Sequence, residues 1–205
     1  MSASKRYPLL LYREWMRPFP LPIVSVAVVL VLLWISGLFK IFPGESGLSD
    51  AARNPLLGIA AAILFGLWAA VKILPHLAYV QCQPEYLLLR AGVLRLIVSY
   101  SRLRTSRSVL HAQIHTPKTQ PRSRRALAAK MALKQCVAIE LTSYPMAFFL
   151  LRALTHPFLY LGTQPGFLFA VEDWMSLSRE VEERHAAWLA KRKDAGKQPR
   201  LGALS

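Results

Sequence analysis

EYLLLRAGVLRLIVSYSRLRTSRSVL, residues 85–110, reads as strand, tight turn, strand, bend, strand. Tyr86-Leu87-Leu88-Leu89 is a short apolar run that ends at Arg90-Ala91-Gly92. Gly92 can take a positive φ, so it suits a turn between two strands. Leu94, Leu96, Val98 and Tyr100 then recur with a period of two, with Arg95 and Ser99 on the opposite face and Ile97 as the exception. A helix would need a broader stripe at 3.6 spacing, and β-branched Ile97 and Val98 also favour a strand. Tyr100-Ser101-Arg102 is the bend. Leu103, Thr105, Arg107 and Val109 then alternate with Arg102, Arg104, Ser106 and Ser108.

Upstream of this stretch the chain reads as a device that holds it at a membrane. Residues 1–20 form a basic and aromatic leader: Lys5, Arg6, Arg13 and Arg17 interleave with Tyr7, Tyr12, Trp15 and Phe19. That composition suits a cytoplasmic interfacial segment. A signal peptide is the competing reading, but the leader is long and no small-x-small cleavage site closes the apolar run. Pro22 to Phe39 carries no charge, and ~18 residues at ~1.5 Å each reach ~27 Å, close to the hydrocarbon thickness. A second uncharged run starts at Pro55 and is rich in Gly and Ala, which lets helix backbones approach closely. Residues 21–77 are therefore expected to form a transmembrane hairpin, with spans at about 21–42 and 55–77. Lys and Arg crowd both flanks and spare the 40–54 connection. Both termini are expected on the cytoplasmic side, with that connection outside.

Downstream, residues 78–190 are expected to form a cytoplasmic β domain and 191–205 a disordered tail. Residues 111–134 (HAQIHTPKTQPRSRRALAAKMALK) read as an extended basic loop, with a short helix conceivable over 126–134. Gln135–Leu141, Phe158–Leu161 and Phe167–Val171 read as strands, with a turn over Gly162–Gly166. The apolar segment 144–154 (YPMAFFLLRAL) is either a helical turn lying on the bilayer or a further core element. Glu172 and Asp173 suit a helix start. Trp174, Leu177, Val181 and Trp188 share one face of that helix, which would close one end of a barrel.

The segment LLLRAGVLRLIVSYSRLRTSRSV resembles the opening strands of bacterial pleckstrin-homology-like (PH-like) domains that follow a pair of membrane helices. Gly92-Val93-Leu94-Arg95 and Tyr100-Ser101-Arg102-Leu103 stand at that family's two recurring positions. The resemblance implies a small two-sheet antiparallel β-barrel or sandwich capped by a C-terminal helix. With the hairpin, the fold class is that of an α+β membrane protein. The resemblance also implies a bacterial protein, expected in the inner, cytoplasmic membrane.

Composition narrows the function classes. Hydrophobic residues make up 54% of the 205, and 26 Lys and Arg against 11 Asp and Glu give a net charge of +15. Such a balance selects anionic partners. From Arg90 to Arg152 there are twelve basic residues against one acid, Glu140. Each Lys or Arg near an anionic leaflet contributes about 1 kcal/mol of attraction. Lys118, Arg122, Arg124, Arg125 and Lys130 are the candidate contacts to anionic phospholipid or an acidic partner. The bland reading makes them solvated arginines that merely fix orientation in the membrane.

Cys82 and Cys136 have no CxxC spacing and read as two buried thiols. His111 and His115 have the i, i+4 spacing of a helical zinc pair but lack the Glu of HExxH. No nucleotide loop or GxSxG elbow is present in the sequence, and between Gln83 and Ala170 the only carboxylates are Glu85 and Glu140, so no cofactor, metal or catalytic residue is expected. The leading expectation is a non-enzymatic, membrane-anchored adaptor or scaffold that binds headgroups, a protein partner or a second copy of itself. The alternatives are a membrane-tethered nucleic-acid-binding protein, disfavoured because no stacking-aromatic motif accompanies PRSRR, and a subunit of a membrane enzyme or transport complex.

Overall fold

The computed structural model describes residues 4–38, 50–92, 94–162 and 164–197. The chain divides into two compact units, Met1–Tyr12 with Leu77–Ser205, and Arg13–His76.

The second unit holds two helices, α2 (Pro20–Leu38) and α3 (Asp50–Ile73), packed against each other. Small residues make the contact. Ala27 and Ala61 are buried, and a Cβ added at Gly58 would sit 3.3 Å from Trp34 Nε1. Leu32, Val29, Ile59 and Ile63 are exposed around the outside. Residues 10–36 and 55–77 are long and apolar enough to cross a membrane, and only 6% of each apolar window is buried. Helix α3 begins at Asp50, so residues 50–54 are helical rather than part of the expected connection. The rest of that connection, and the end of the first expected span beyond Leu38, lie outside the described residues.

The first unit is built on two antiparallel sheets. Strands β1 (Arg6–Pro8), β2 (Tyr79–Cys82), β3 (Tyr86–Ala91) and β4 (Leu94–Ser99) pair in that order. Strands β5 (Leu103–Leu110), β6 (Gln135–Leu141) and β7 (Gly166–Ala170) form the second sheet. The expected hairpin is present: Gly92 has φ 62°, and Leu87 pairs with Val98 and Leu89 with Leu96. Those four side chains are buried, while Ile97 is exposed beside Arg95. The Tyr100–Arg102 bend is a single 3-10 turn, tied back by a bond from the Tyr100 hydroxyl to the Gln83 carbonyl (2.9 Å).

Part of the leader joins the domain. Arg6, Tyr7 and Pro8 pair with Gln81, Val80 and Tyr79. The buried Tyr7 hydroxyl donates to Glu180 Oε2 at 2.8 Å, and Lys5 pairs with Asp173 at 2.6 Å. Leu9 donates its N–H to the Ala78 carbonyl (3.0 Å) and bridges to Val171 on the other side. The domain is therefore not contiguous over 78–190; it needs residues on both sides of the helical hairpin. A short helix, α1 (Leu10–Met16), leads out of it with Leu10, Leu11 and Tyr12 buried.

Strands β6 and β7 are buried almost throughout. Helix α7 (Trp174–Lys197) packs on β5 and β6, with Leu177 and Val181 fully buried. Tyr144 and Tyr160 pack on Phe167. Gly166 permits the return of the chain over this sheet, since a Cβ there would lie 2.5 Å from the Ile139 carbonyl oxygen.

Four expectations need correction. Residues 158–161 are not a strand: Pro157–Leu159 is a 3-10 turn, because Pro157 lacks the N–H a ladder requires, and Tyr160 alone bridges to Phe167. Trp174 and Trp188 are half-buried rather than core. Helix α7 continues through Lys197, past the expected start of the tail at 191, and residues 198–205 lie outside the described residues. Residues 111–134 are folded and largely helical rather than an extended loop.

Candidate functional site

The 111–134 excursion leaves β5 and returns to β6 through three short elements. These are α4 (His111–Ile114), a 3-10 turn at Pro117–Thr119, and α5 (Arg122–Met131). Its base is closed by backbone bonds from His111 to the Lys134 carbonyl (3.0 Å) and from Ala112 to the Ala132 carbonyl (3.2 Å). Ala128 and Met131 are fully buried and fix one side of α5 to the domain. The other side is cationic. Arg122, Arg125, Ala126, Ala129, Lys130 and Leu133 recur at helical spacing and are all exposed, Leu133 at 87%.

Of the five residues expected at the site, Arg122, Arg125 and Lys130 share this stripe. Lys118 is exposed on the preceding turn, and Arg124 is half-buried, its charge felt by His156. No acidic residue occurs in 111–134. None of the five forms an ion pair among the described residues.

Strand register adds two residues that the sequence did not single out for the site. Arg90 and Arg95 stand opposite each other across the β3–β4 hairpin. Like charges at directly opposed positions destabilise a ladder unless an anion compensates. The signal lay in the sequence, since both flank the Gly92 turn, but their opposition requires the register.

The register also shows where these groups gather. Tyr79 pairs with Arg90, so the β3–β4 turn lies at the end of the first sheet where the chain returns through Ala78. Leu110 pairs with Gln135, Cys136 with Ala170, and Val171 bridges to Leu9. The excursion therefore leaves the second sheet at the end marked by Leu9. Both cationic groups flank Leu9 and Ala78, between which the chain runs out to residues 13–76 and back. Elsewhere on the second sheet, mid-strand Arg107 pairs with Glu140 at 3.0 Å and Arg102 donates to the Tyr144 carbonyl at 2.8 Å, while Arg104 is exposed and forms no ion pair among the described residues.

Behind the excursion lies a histidine cluster. His111 and His115 lie with ring centroids 5.2 Å apart and planes tilted by 44°, and His111, His115 and His156 all contact the Phe158 ring. Burial pushes His111 down to about 4, with His115 adding to the effect. Burial also pushes His156 down to about 4, with Arg124 contributing. His115 Nε2 is engaged with the Tyr160 carbonyl at 2.9 Å. These rings are neutral packing groups at pH 7. Among the described residues, no three His, Cys, Asp or Glu side chains could together hold a metal.

Cys82 and Cys136 are free, buried and pushed up to about 12 by that burial, which leaves no reactive thiolate. Glu85 pairs with Lys191 (3.4 Å), and Glu140 is held by Arg107 and Thr105. A groove of about 580 Å³ between β1 and α7 is lined by groups that engage one another: Glu180 accepts from the Tyr7 hydroxyl and pairs with Arg184, and Arg179 pairs with Glu183. Comparison of the chain with protein-family models, curated proteins and solved structures found no match.

Proposed function

We propose that this chain is a membrane-anchored module of PH-like type that holds a cationic surface against the anionic headgroups of its own bilayer, as a non-enzymatic adaptor or scaffold. The observation that carries the reading is the gathering of uncompensated cations at one end of the β domain. Arg90, Arg95, Lys118, Arg122, Arg125 and Lys130 collect at the end where the chain departs toward the two apolar helices. A domain tethered by such helices has that end next to the headgroups, where each cation contributes about 1 kcal/mol.

The position of β1 supports the two-span arrangement independently of charge. β1 precedes α2 and β2 follows α3, yet the two strands pair. The chain before and after the hairpin must therefore lie on one side of any bilayer, which an even number of crossings satisfies. The excess of Lys and Arg outside the hairpin supports a cytoplasmic side for both termini, and the PH-like resemblance supports a bacterial inner membrane. Cleavage after the first span would remove a strand from the sheet, which argues against a signal peptide.

Lipid selectivity of the full-length protein tests the reading. In reconstituted vesicles, spin-labelled phosphatidylglycerol should be motionally restricted by the protein in preference to phosphatidylcholine. High salt should erase the preference, because the screening length falls from ~10 Å at 0.1 M to ~3 Å at 1 M. The combined change Arg122→Ser, Arg125→Ser, Lys130→Ser, confined to exposed positions, should reduce it without unfolding the domain. Undiminished preference in that variant would reduce these residues to a solvated face.

A further inference from the structure

Helix α6 (Phe148–Leu154, FFLLRAL) turns its apolar side chains outward. Phe148, Phe149, Leu150 and Leu154 are 43%, 69%, 40% and 58% exposed, and Leu151 alone is buried. A core element would show the reverse pattern, so one of the two sequence expectations for 144–154 is removed. The helix is nonetheless firmly held. Tyr144 stacks on Phe148 with centroids 5.0 Å apart, Phe148 meets Tyr160 edge-on at 5.3 Å, and the Thr155 hydroxyl donates to the Leu151 carbonyl at 2.8 Å. Such a rigidly presented apolar surface marks a place of contact rather than a loose segment.

Charge and position select the occupant. The one charge on α6 is Arg152, exposed and cationic, and no acid lies between Glu140 and Glu172. Two residues beyond α6, the His156 backbone lies against the hydroxyl of Tyr12, the last residue of this unit before residues 13–76. His156 also shares the Phe158 ring with His111 and His115 of the cationic excursion, with centroids 4.9–5.3 Å from it. The C-terminal end of α6 thus adjoins Tyr12, where the chain leaves this unit, and the base of the cationic excursion. An apolar face with a cationic margin, continuous with a surface suited to headgroups, fits the boundary between headgroups and acyl chains.

We propose that α6 is an interfacial helix of the anchoring bilayer. Phe148, Phe149, Leu150 and Leu154 lie in the upper acyl layer, and Arg152 reaches the lipid phosphates. The inference rests on the reading of the chain as bilayer-anchored, and it adds a hydrophobic seat to the electrostatic one. The seat fixes the tilt of the β domain, which charge attraction alone leaves free.

Nitroxide labels on the full-length protein in phosphatidylcholine vesicles with a minority of phosphatidylglycerol test it. Labels are placed by Phe149→Cys, by Leu32→Cys in α2, and by Ser101→Cys at the opposite end of the domain. The native thiols are buried and do not compete. Relaxation by oxygen and by a water-soluble nickel chelate is compared at each site. The expected result is that Leu32 and Phe149 are reached by oxygen and shielded from nickel, with Phe149 ~5–10 Å below the headgroup boundary, while Ser101 is open to nickel. If Leu32 is shielded but Phe149 is as open to nickel as Ser101, this inference fails and the anchor reading survives. Shielding of Phe149 from both relaxants, with dipolar broadening that disappears on dilution by unlabelled protein, assigns the face to a second copy and overturns the inference. Nickel access at Leu32 overturns the anchor reading and this inference with it.

Discussion

Tyr7→Ala should destabilise a domain most of whose residues lie more than seventy positions further along the chain. Tyr7 is 3% exposed, sits opposite Val80 in the ladder, and donates to Glu180 on α7 at 2.8 Å. Removing a buried ring of this size costs about 3–5 kcal/mol. Tyr7→Phe keeps the ring and loses a hydrogen bond to a charged acceptor, a change of about 1.5–3 kcal/mol. The lower end is expected, since Glu180 retains Arg184 at 3.9 Å. With a urea slope of about 2 kcal/mol per M, the midpoint should fall by roughly 2 M for Tyr7→Ala and by less than roughly 1 M for Tyr7→Phe. The assay is pulse proteolysis of the full-length protein in detergent across a urea series, following the fragment that contains α7. If residues 6–8 were only a juxtamembrane leader, Tyr7→Ala would leave the midpoint at the wild-type value, and that result would refute the assignment of β1.

Three further outcomes are expected. An impermeant thiol reagent applied to intact cells should label Ser46→Cys and spare Ser123→Cys; the reverse pattern would invert the topology. Leu177→Ala should cost about 2–5 kcal/mol, as for a fully buried leucine, and half-buried Trp174→Ala should cost less; the same proteolysis series ranks them, and a larger loss at Trp174 would contradict the packing of α7. His111 titrates at about 4 in the folded protein against ~6.5 unfolded, so the unfolded chain takes up the proton first. Stability is full above pH ~6.5 and declines as pH falls toward 4, by on the order of 3 kcal/mol for this group, so His111→Leu should flatten the acid limb of urea midpoints measured from pH 7 to pH 5.

What could be read from the sequence was what depends on near neighbours. The Gly92 turn, the inward alternation of Leu96 and Val98, and the α7 face of Leu177 and Val181 each follow from a few adjacent positions. Ile97 broke the alternation by composition only; in the structure it keeps to the outer face. Strand β1 was not legible, because three residues ending in Pro8 carry almost no periodicity and their partner lies beyond the hairpin. The 111–134 excursion misled because its charges dominate its composition, while two small anchors, Ala128 and Met131, hold it down. Lys118, Arg122, Arg124, Arg125 and Lys130 were visible as charges, but that Arg124 is half-buried and that Arg90 faces Arg95 emerges only once strands are paired and helices laid on them.

The placement of β1 ahead of the hairpin imposes an order of assembly. During synthesis Arg6–Pro8 is made first, and its partner Tyr79–Cys82 appears only after both apolar helices have been made. Until then Tyr7, Leu9 and Leu11 have no core to enter, and closing so long a loop carries an entropic cost that the later contacts must offset. A chain with only one helix inserted would hold β1 across the bilayer from β2. The first sheet would then present the bare edge of β2, the kind of edge that aggregates or recruits other strands. On the proposed two-span reading, completion of the sheet would act as a proofreading step for insertion: only a correctly threaded hairpin would yield a protease-resistant domain.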